Sequence, residues 1–205
     1  MKSSPQIYDL LKKIEAYAAD LGGVFSAADL ANLIGARSKL AAARIINRCV
    51  KGGFLTRVQR GIYVTSAFDL QRLAMRLAPD CYISMDSALA RHGLIGTVPE
   101  RSVSAIHVGR RRRISTDQGM LFIYSIAPEM YFGFESAEFG VRMADPEKAF
   151  IDLLYFYTKA ARFVIDPLSE VAVDKLDKRK VERYLRRYNN PRFIAFVKGL
   201  LHEKP

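Results

Sequence analysis

Residues 38–51 have the sequence SKLAAARIINRCVK, and this stretch decides how the first third of the chain folds. At about 100° per residue, a helix over this stretch has a basic face and an apolar face. The basic face carries Ala41, Arg44, Arg48 and Lys51, and the opposite face carries Ala42, Ile46, Cys49 and Val50. The glycines at 52 and 53 end the pattern. We therefore predict an amphipathic helix with its back in a core and cations in front.

The segments on either side of this helix predict a recognisable order of elements. Upstream, Ser3 or Ser4 before Pro5 starts a helix with apolar residues at helical spacing up to Gly22, and Val24 and Phe25 form a strand stub. Ser26 then caps a second helix, 27–34, which Gly35 ends. Downstream, residues 54–58 and 62–64 are two short strands reversed at 59–61. Together these elements predict a winged helix-turn-helix domain over residues 1–66.

In a helix-turn-helix, the second helix of the pair enters the major groove of DNA. Side chains near its N-terminus reach base edges, which here means Ser38, Lys39, Ala41 and Ala42. Arg44 could donate two hydrogen bonds to a guanine edge. Arg48 and Lys51 are expected to contact phosphates, and Arg57 and Arg60 in the hairpin extend the footprint as a wing. The alternative is an ordinary solvated basic face on a surface helix.

The charge of the chain favours a polyanionic partner. The 205 residues carry a formal net charge of +11, with 10 Lys/Arg against 4 Asp/Glu in residues 1–66 and 22 against 17 in residues 67–205. The two cysteines, Cys49 and Cys81, lie in apolar runs without metal-type spacing. The first residues show no continuous apolar stretch of the kind found in a signal peptide, and no segment approaches the roughly 20 apolar residues of a membrane span. We expect a cytoplasmic protein with no membrane partner.

Residues 67–205 predict a second domain of mixed helix and sheet, so the fold class is α+β. A connecting helix with Leu70, Leu73 and Leu77 on one side follows the boundary, which we place near Ala67. Strands are expected at 81–84, 102–108 and 119–126, and a short helix capped by Ser84 at 85–93. Asp145 and Pro146 begin a helix with its buried stripe on Ala149, Phe150, Leu153, Leu154 and Tyr157. Two terminal helices, 178–188 and 192–202, complete the domain.

The densest charge in the chain is the run Arg110, Arg111, Arg112 and Arg113. In an extended conformation alternate side chains point to opposite faces, so one pair could bind DNA phosphate or an acidic protein. The other interpretation is a strand edge that charge protects against aggregation.

Few residues suggest catalysis or a cofactor. Lys148 and Asp152 stand four apart on a helix, which fits a catalytic pair but usually indicates a surface ion pair. His92, His107 and His202 lie on three different elements without metal-ligand spacing. Phosphate-binding loops, nucleophile elbows and paired-carboxylate motifs do not occur, so we predict no metal, no cofactor and no enzymatic activity.

Four segments resemble a known family. They are RVQRGIYV at 57–64, YISMDSALARHGLIGTVPE at 82–100, IHVGRRRR at 106–113 and MADPEKAFIDLLY at 143–155. Their order and spacing resemble the AbiEi antitoxins of type IV toxin–antitoxin modules over nearly the whole chain. The resemblance implies an abortive-infection antitoxin that binds operator DNA and represses its own operon, and whose C-terminal domain counteracts a nucleotidyltransferase-like toxin. A stable complex with the toxin is not implied.

Two other functions stay open at this point. One is a phosphotransferase that modifies the toxin covalently, for which Asp145, Lys148 and Asp152 are the only clustered polar residues. The other is a plain transcriptional repressor whose second domain is a sensor or a dimerisation module. A neighbouring gene for a nucleotidyltransferase would favour the antitoxin.

Overall fold

The structure, a computed structural model, describes residues 5–203, and the chain divides into two compact units, Met1–Pro79 and Asp80–Pro205. Helices and strands occur in both units, which confirms the predicted α+β class. The helix start predicted at Ser3 or Ser4 lies outside the described residues. No helix within residues 5–203 is long and apolar enough to cross a lipid bilayer.

The first unit follows the predicted order and adds one strand pairing. Its helices are α1 (Pro5–Leu21), α2 (Ala27–Ile34), α3 (Lys39–Lys51) and α4 (Leu70–Leu77). Its strands are β1 (Val24–Ser26), β2 (Thr56–Gln59) and β3 (Ile62–Val64), which form an antiparallel sheet in the order β1-β3-β2. The segment predicted as a strand stub is therefore an edge strand paired with β3.

Local signals in the sequence account for the short elements of this unit. Ser26 and Asp29 form a reciprocal capping box at the start of α2, with hydrogen bonds of 2.8 and 3.1 Å. Gly35 ends α2 with φ +64°, a conformation that side chains with a Cβ rarely adopt. Gln59 pairs directly with Ile62, so Arg60 and Gly61 make a two-residue turn. The predicted hairpin is confirmed with a tighter turn than expected.

The helices of the first unit cover a core that contains Phe25 from β1 and Leu30 from α2. Leu10 and Ile14 reach this core from α1, and Ile46 reaches it from α3. Tyr17 follows Leu10 and Ile14 at helical spacing along α1, but 49% of it is exposed. Tyr17 lies near the C-terminal end of α1, where its ring extends beyond the core.

The domain boundary lies after Pro79 and not near Ala67, because α4 packs on the first unit. The Asp69 amide donates to the Gly22 carbonyl at 2.9 Å, and the Arg72 guanidinium donates to the carbonyls of Ala19 and Asp20. Arg76 forms an ion pair with Asp29 at 3.1 Å. The predicted boundary treated α4 as a connector, whereas its polar side chains attach it to α1 and α2.

The second unit contains a six-stranded mixed sheet and four α-helices within the described chain. Its strands are β4 (Tyr82–Ile83), β5 (Ser102–His107), β6 (Arg112–Thr116), β7 (Gly119–Ser125), β8 (Phe134–Ser136) and β9 (Arg142–Ala144). They lie in the order β6-β7-β5-β4-β9-β8, with β5 parallel to β7 and β4 parallel to β9. Its helices are α5 (Met85–Arg91), α6 (Pro146–Tyr157), α7 (Lys178–Leu185) and α8 (Pro191–Glu203). Strands β8 and β9 were not predicted.

Helix α6 is the central helix of the second unit. The Asp145 carboxylate accepts a hydrogen bond from the Lys148 amide at 2.9 Å, and Pro146 occupies the first turn, as predicted. The predicted stripe Ala149, Phe150, Leu153 and Leu154 is fully buried, whereas Tyr157 is 38% exposed, so its assignment to the core is wrong. Tyr157 is the last residue of α6, where the helix leaves the core. Most other residues of α6 are buried, and they lie on every face of the helix.

Candidate nucleic-acid interface

The surface of α3 carries the cations that the periodicity placed there. Arg44, Arg48 and Lys51 are all exposed. The core side is wider than predicted, because Ile45 and Ile46 are both buried and Ala41 is only half-exposed. The centre of the exposed face is therefore rotated away from Ala41, toward Leu40 and Asn47, with Arg44 and Lys51 to one side. Contact of these residues with DNA stays a prediction.

The first turn of α3 is built differently from the prediction. The Ser38 hydroxyl accepts a hydrogen bond from the Ala41 amide at 3.2 Å, so this side chain caps the helix while staying exposed. Lys39 is exposed, but Ala42 is only 3% exposed and packs in the core. The assignment of Ala42 to a base-reading position is wrong, because the residue lies on the apolar side of the helix.

Three exposed residues in or next to α3 were not predicted. Leu40 is 63% exposed, which is unusual for a leucine on a core-packed helix, and apolar side chains at such positions can contact thymine methyl groups. Asn47 lies about one helical turn after Arg44 and is exposed. Arg37 is exposed in the turn before Ser38. The exposure of Leu40 and Asn47 could have been predicted from the sequence, because at helical spacing both lie opposite the apolar pair Ile45 and Ile46.

The hairpin holds its two arginines at the surface. Arg57 and Arg60 are exposed, and the Arg57 Nε donates to the Gln59 carbonyl at 3.4 Å. A register shift between Arg57 and Gln59 bulges strand β2. Bulges bend a strand and redirect its side chains, which is compatible with the exposure of both arginines.

The arginine run begins in a loop and enters an edge strand. Arg110 and Arg111 precede β6, whereas Arg112 and Arg113 are its first two residues, and all four are exposed. The His107 ring hydrogen-bonds to the Arg110 carbonyl at 2.8 Å, which fixes the loop. The predicted alternation holds at Arg113, whose guanidinium lies 5.5 Å from the centre of the Phe122 ring on β7.

Lys148 and Asp152 form an ion pair, but the prediction of a surface pair is wrong. Both side chains are 0% exposed, and their ammonium and carboxylate are in direct contact. The Asp152 carboxylate also accepts hydrogen bonds from the Ser84 hydroxyl at 2.8 Å and the Tyr82 hydroxyl at 3.0 Å. The Lys148 ammonium donates to the Tyr188 hydroxyl at 3.1 Å. We call these five side chains the buried network.

Burial dominates the electrostatics of the buried network. It raises the pKa of the Asp152 carboxyl, against the opposing effect of the Lys148 ammonium and the two hydroxyl donors. Burial also raises the pKa values of Tyr82 and Tyr188 well above the ordinary value of tyrosine. The Ser84 hydroxyl donates its hydrogen bond to Asp152 and makes no capping hydrogen bond to α5. The prediction that this side chain caps α5 is therefore wrong.

The buried network has a structural character. The two charged groups of a buried ion pair need further hydrogen bonds to offset the loss of their hydration. The hydroxyls of Tyr82, Ser84 and Tyr188 supply these bonds. Asp145, the third residue of the candidate catalytic cluster, caps α6 and binds Lys180 at 3.2 Å and the Tyr184 hydroxyl at 2.7 Å. A substrate cannot touch Lys148 or Asp152 in this conformation. Within residues 5–203, no three His, Cys, Asp or Glu side chains converge as metal ligands.

Comparison with known proteins finds a similar fold but no matching family. No family model and no curated protein matches the chain. Among solved structures, it is similar to the RV2827C protein from Mycobacterium tuberculosis, with a TM-score of 0.64 and 13% sequence identity. The match covers 98% of this chain and 77% of that chain. At this identity the likeness concerns the fold alone.

Proposed function

We propose that the chain is a DNA-binding regulator and that its first unit is a winged helix-turn-helix. In this proposal α3 enters the major groove, α2 crosses the backbone and the β2–β3 hairpin is the wing. The observation that carries the proposal is the exposed face of α3, where Arg44, Arg48 and Lys51 project from a helix whose back is in the core. No acidic residue occurs within α3 to offset these charges.

The residues divide by their expected roles on DNA. Arg44 lies in the N-terminal half of α3 with Lys39 and Leu40, within reach of base edges when the helix starts in the groove. Arg48 and Lys51 lie about one and two turns further along, at a rise of about 1.5 Å per residue, where a groove-bound helix leaves toward the phosphates. Arg57 and Arg60 then contact backbone beside the groove.

Salt dependence tests the division into base and phosphate contacts. Each neutralised phosphate releases counterions, so the logarithm of affinity falls by about 0.9 per phosphate per log unit of salt. We expect the Lys51→Ala/Arg60→Ala variant to lower this slope by about 2 while its preference among DNA sequences stays unchanged. The measurement is fluorescence anisotropy with an operator duplex from about 50 to 300 mM salt. An unchanged slope would contradict the phosphate roles.

We further propose that the regulator is an antitoxin that represses its own operon and counteracts a nucleotidyltransferase-like toxin. Support for this role comes from the resemblance to AbiEi antitoxins. The residues that carry the resemblance in the second unit are mostly interior, including Tyr82, Ser84, Lys148 and Asp152 of the buried network. They therefore explain a shared core, and the surface that opposes the toxin has to lie on other residues. The burial of Lys148 and Asp152 also weighs against toxin modification by a phosphotransferase site at these residues.

Co-expression tests the antitoxin role. The gene next to this one is expected to encode a nucleotidyltransferase whose expression alone arrests growth, and co-expression of the full chain from an unrelated promoter should restore growth. The Arg44→Ala/Arg48→Ala variant should rescue equally well, because it removes only the proposed DNA contacts. If the wild-type chain gives no rescue, the antitoxin role is rejected and repression alone remains.

A further inference from the structure

A concave cavity of about 600 Å³ lies in the second unit, between strands β6 and β7 and the segment that follows α6. This volume is typical of small-molecule sites. Its walls combine cations with aromatic rings, and the lining residues that matter here are Arg111, Arg113, Tyr124, Phe156, Lys159 and Arg162. We call it the β6–α6 cavity.

The cations of the β6–α6 cavity come from two separate parts of the chain. Arg111, Arg112 and Arg113 belong to the arginine run, whereas Lys159 and Arg162 follow α6. All five are exposed, and no Asp or Glu is among the described residues that line the cavity. The Lys159 ammonium lies over the Tyr155 ring at 4.3 Å. The guanidinium groups of Arg111, Arg113 and Arg162 offer planar, multidentate donors for an anion.

The aromatic residues form a row along one wall. Arg113 lies opposite Phe122 in the β6–β7 register, so both side chains are on the same face of the sheet, and Tyr124 follows two residues later on that face. The ring centres of Phe122 and Tyr124 are 6.3 Å apart, and those of Tyr124 and Phe156 are 4.7 Å apart. Phe122 and Tyr124 are half-buried, so part of each ring is open to a ligand.

Charge protection of an edge strand explains only part of this arrangement. It accounts for arginines on β6, since charge discourages pairing with another strand. It does not account for Arg162, which lies on a different segment, nor for half-exposed rings between the two groups of cations. That segment also turns through Ala160, a non-glycine residue at φ +59°, a conformation that residues with a Cβ rarely adopt.

We propose that the β6–α6 cavity binds a nucleoside polyphosphate, with its phosphates held by Arg111, Arg113 and Arg162 and its base stacked on Tyr124. Several guanidinium groups with no acid among the described lining residues fit a ligand with several negative charges. The open aromatic row fits a planar base, because stacking stabilises an unpaired base on such a ring. Duplex DNA exposes no base face and is too wide for a cavity of this volume. The site is independent of the proposed DNA contacts of α3.

Binding of ATP, compared with inorganic tripolyphosphate, tests both halves of the site. The full chain is titrated by calorimetry with each compound at about 150 mM salt, and ATP should bind at least about 10-fold more tightly because only ATP has a base. Arg113→Ala/Arg162→Ala should weaken both ligands by at least about 10-fold. Tyr124→Leu should weaken ATP by about 10-fold and tripolyphosphate by less than 2-fold.

Two matched variants separate a binding role from a folding role. Tyr124→Phe keeps the ring and should bind ATP within about 2-fold of wild type, and Arg179→Ala removes an exposed arginine of α7 and should change nothing. The proposal is overturned if ATP binds no more tightly than tripolyphosphate, or if neither the arginine pair nor Tyr124→Leu affects ATP. Tighter, Tyr124-dependent binding of an eight-residue single-stranded oligonucleotide would also overturn it, in favour of an unpaired strand.

Discussion

Arg44→Ala/Arg48→Ala is expected to weaken binding to operator DNA by at least about 100-fold. A bidentate arginine–guanine contact contributes roughly 1–3 kcal/mol, and loss of a phosphate contact beside it adds to that. The variant should remain folded, since both side chains are exposed and alanine has the highest helix propensity. A gel shift with the DNA upstream of the gene measures the effect, and a thermal melt followed by circular dichroism checks the fold.

A charge-matched control is available in the second unit. Arg179→Ala/Arg186→Ala removes the same two positive charges from exposed positions in and just after α7. If net charge alone attracted DNA, both double variants would lose affinity equally. We expect the control to stay within about 3-fold of wild type. Undiminished binding by the α3 variant would reject the assigned surface.

Lys148→Met is expected to lower the free energy of unfolding by about 3–5 kcal/mol. Removal of one partner from a buried ion pair leaves the other charge without compensation in a dry interior. Here the remaining Asp152 carboxylate would keep only hydroxyl donors, those of Tyr82, Ser84 and, at 3.5 Å, Tyr188. Urea unfolding measures the loss, and hydrogen exchange of the α6 amides assigns it to the second unit.

A double-mutant cycle distinguishes the ion pair from simple packing. In Lys148→Met/Asp152→Asn neither charge remains, so the double variant should lose about 1–3 kcal/mol less than the sum of the two single variants. The exposed pair Arg91–Glu138, at 3.6 Å, gives a matched control whose charge removal should cost less than about 1 kcal/mol. Additive losses at Lys148 and Asp152 would contradict the coupled role of the buried network.

Elements with strong local signals were predictable from sequence. Helix α3 has a clear apolar stripe, and α6 begins at an Asp-Pro pair that matches a helix N-terminus. Strand β8 was missed because Phe134–Ser136 is short and polar, and only its pairing with β9 makes it a strand. The boundary at Pro79 was missed because the Arg72 and Arg76 contacts with the first unit are tertiary.

The candidate sites show the same limit. Exposure of Arg44 and Lys51 follows from helix geometry, whereas the burial of Lys148 and Asp152 depends on hydroxyls of Tyr82, Ser84 and Tyr188, which lie between 36 and 70 residues away from their partners. Charged residues are seldom fully buried, so their type alone predicts a surface. Similarly, the arginine run suggested an anion site, but Arg162 and Tyr124 join it only in the folded chain.

The most direct test of the central claim is the ratio of affinities for two duplexes of equal length, one from the DNA upstream of the gene and one with the same bases scrambled. Equilibrium anisotropy at about 150 mM salt should give the wild-type chain at least about a 1,000-fold preference for the upstream duplex. The Arg44→Ala/Arg48→Ala variant should bind both duplexes weakly and nearly equally. Equal affinity of the wild-type chain for the two duplexes would contradict sequence-specific recognition by α3.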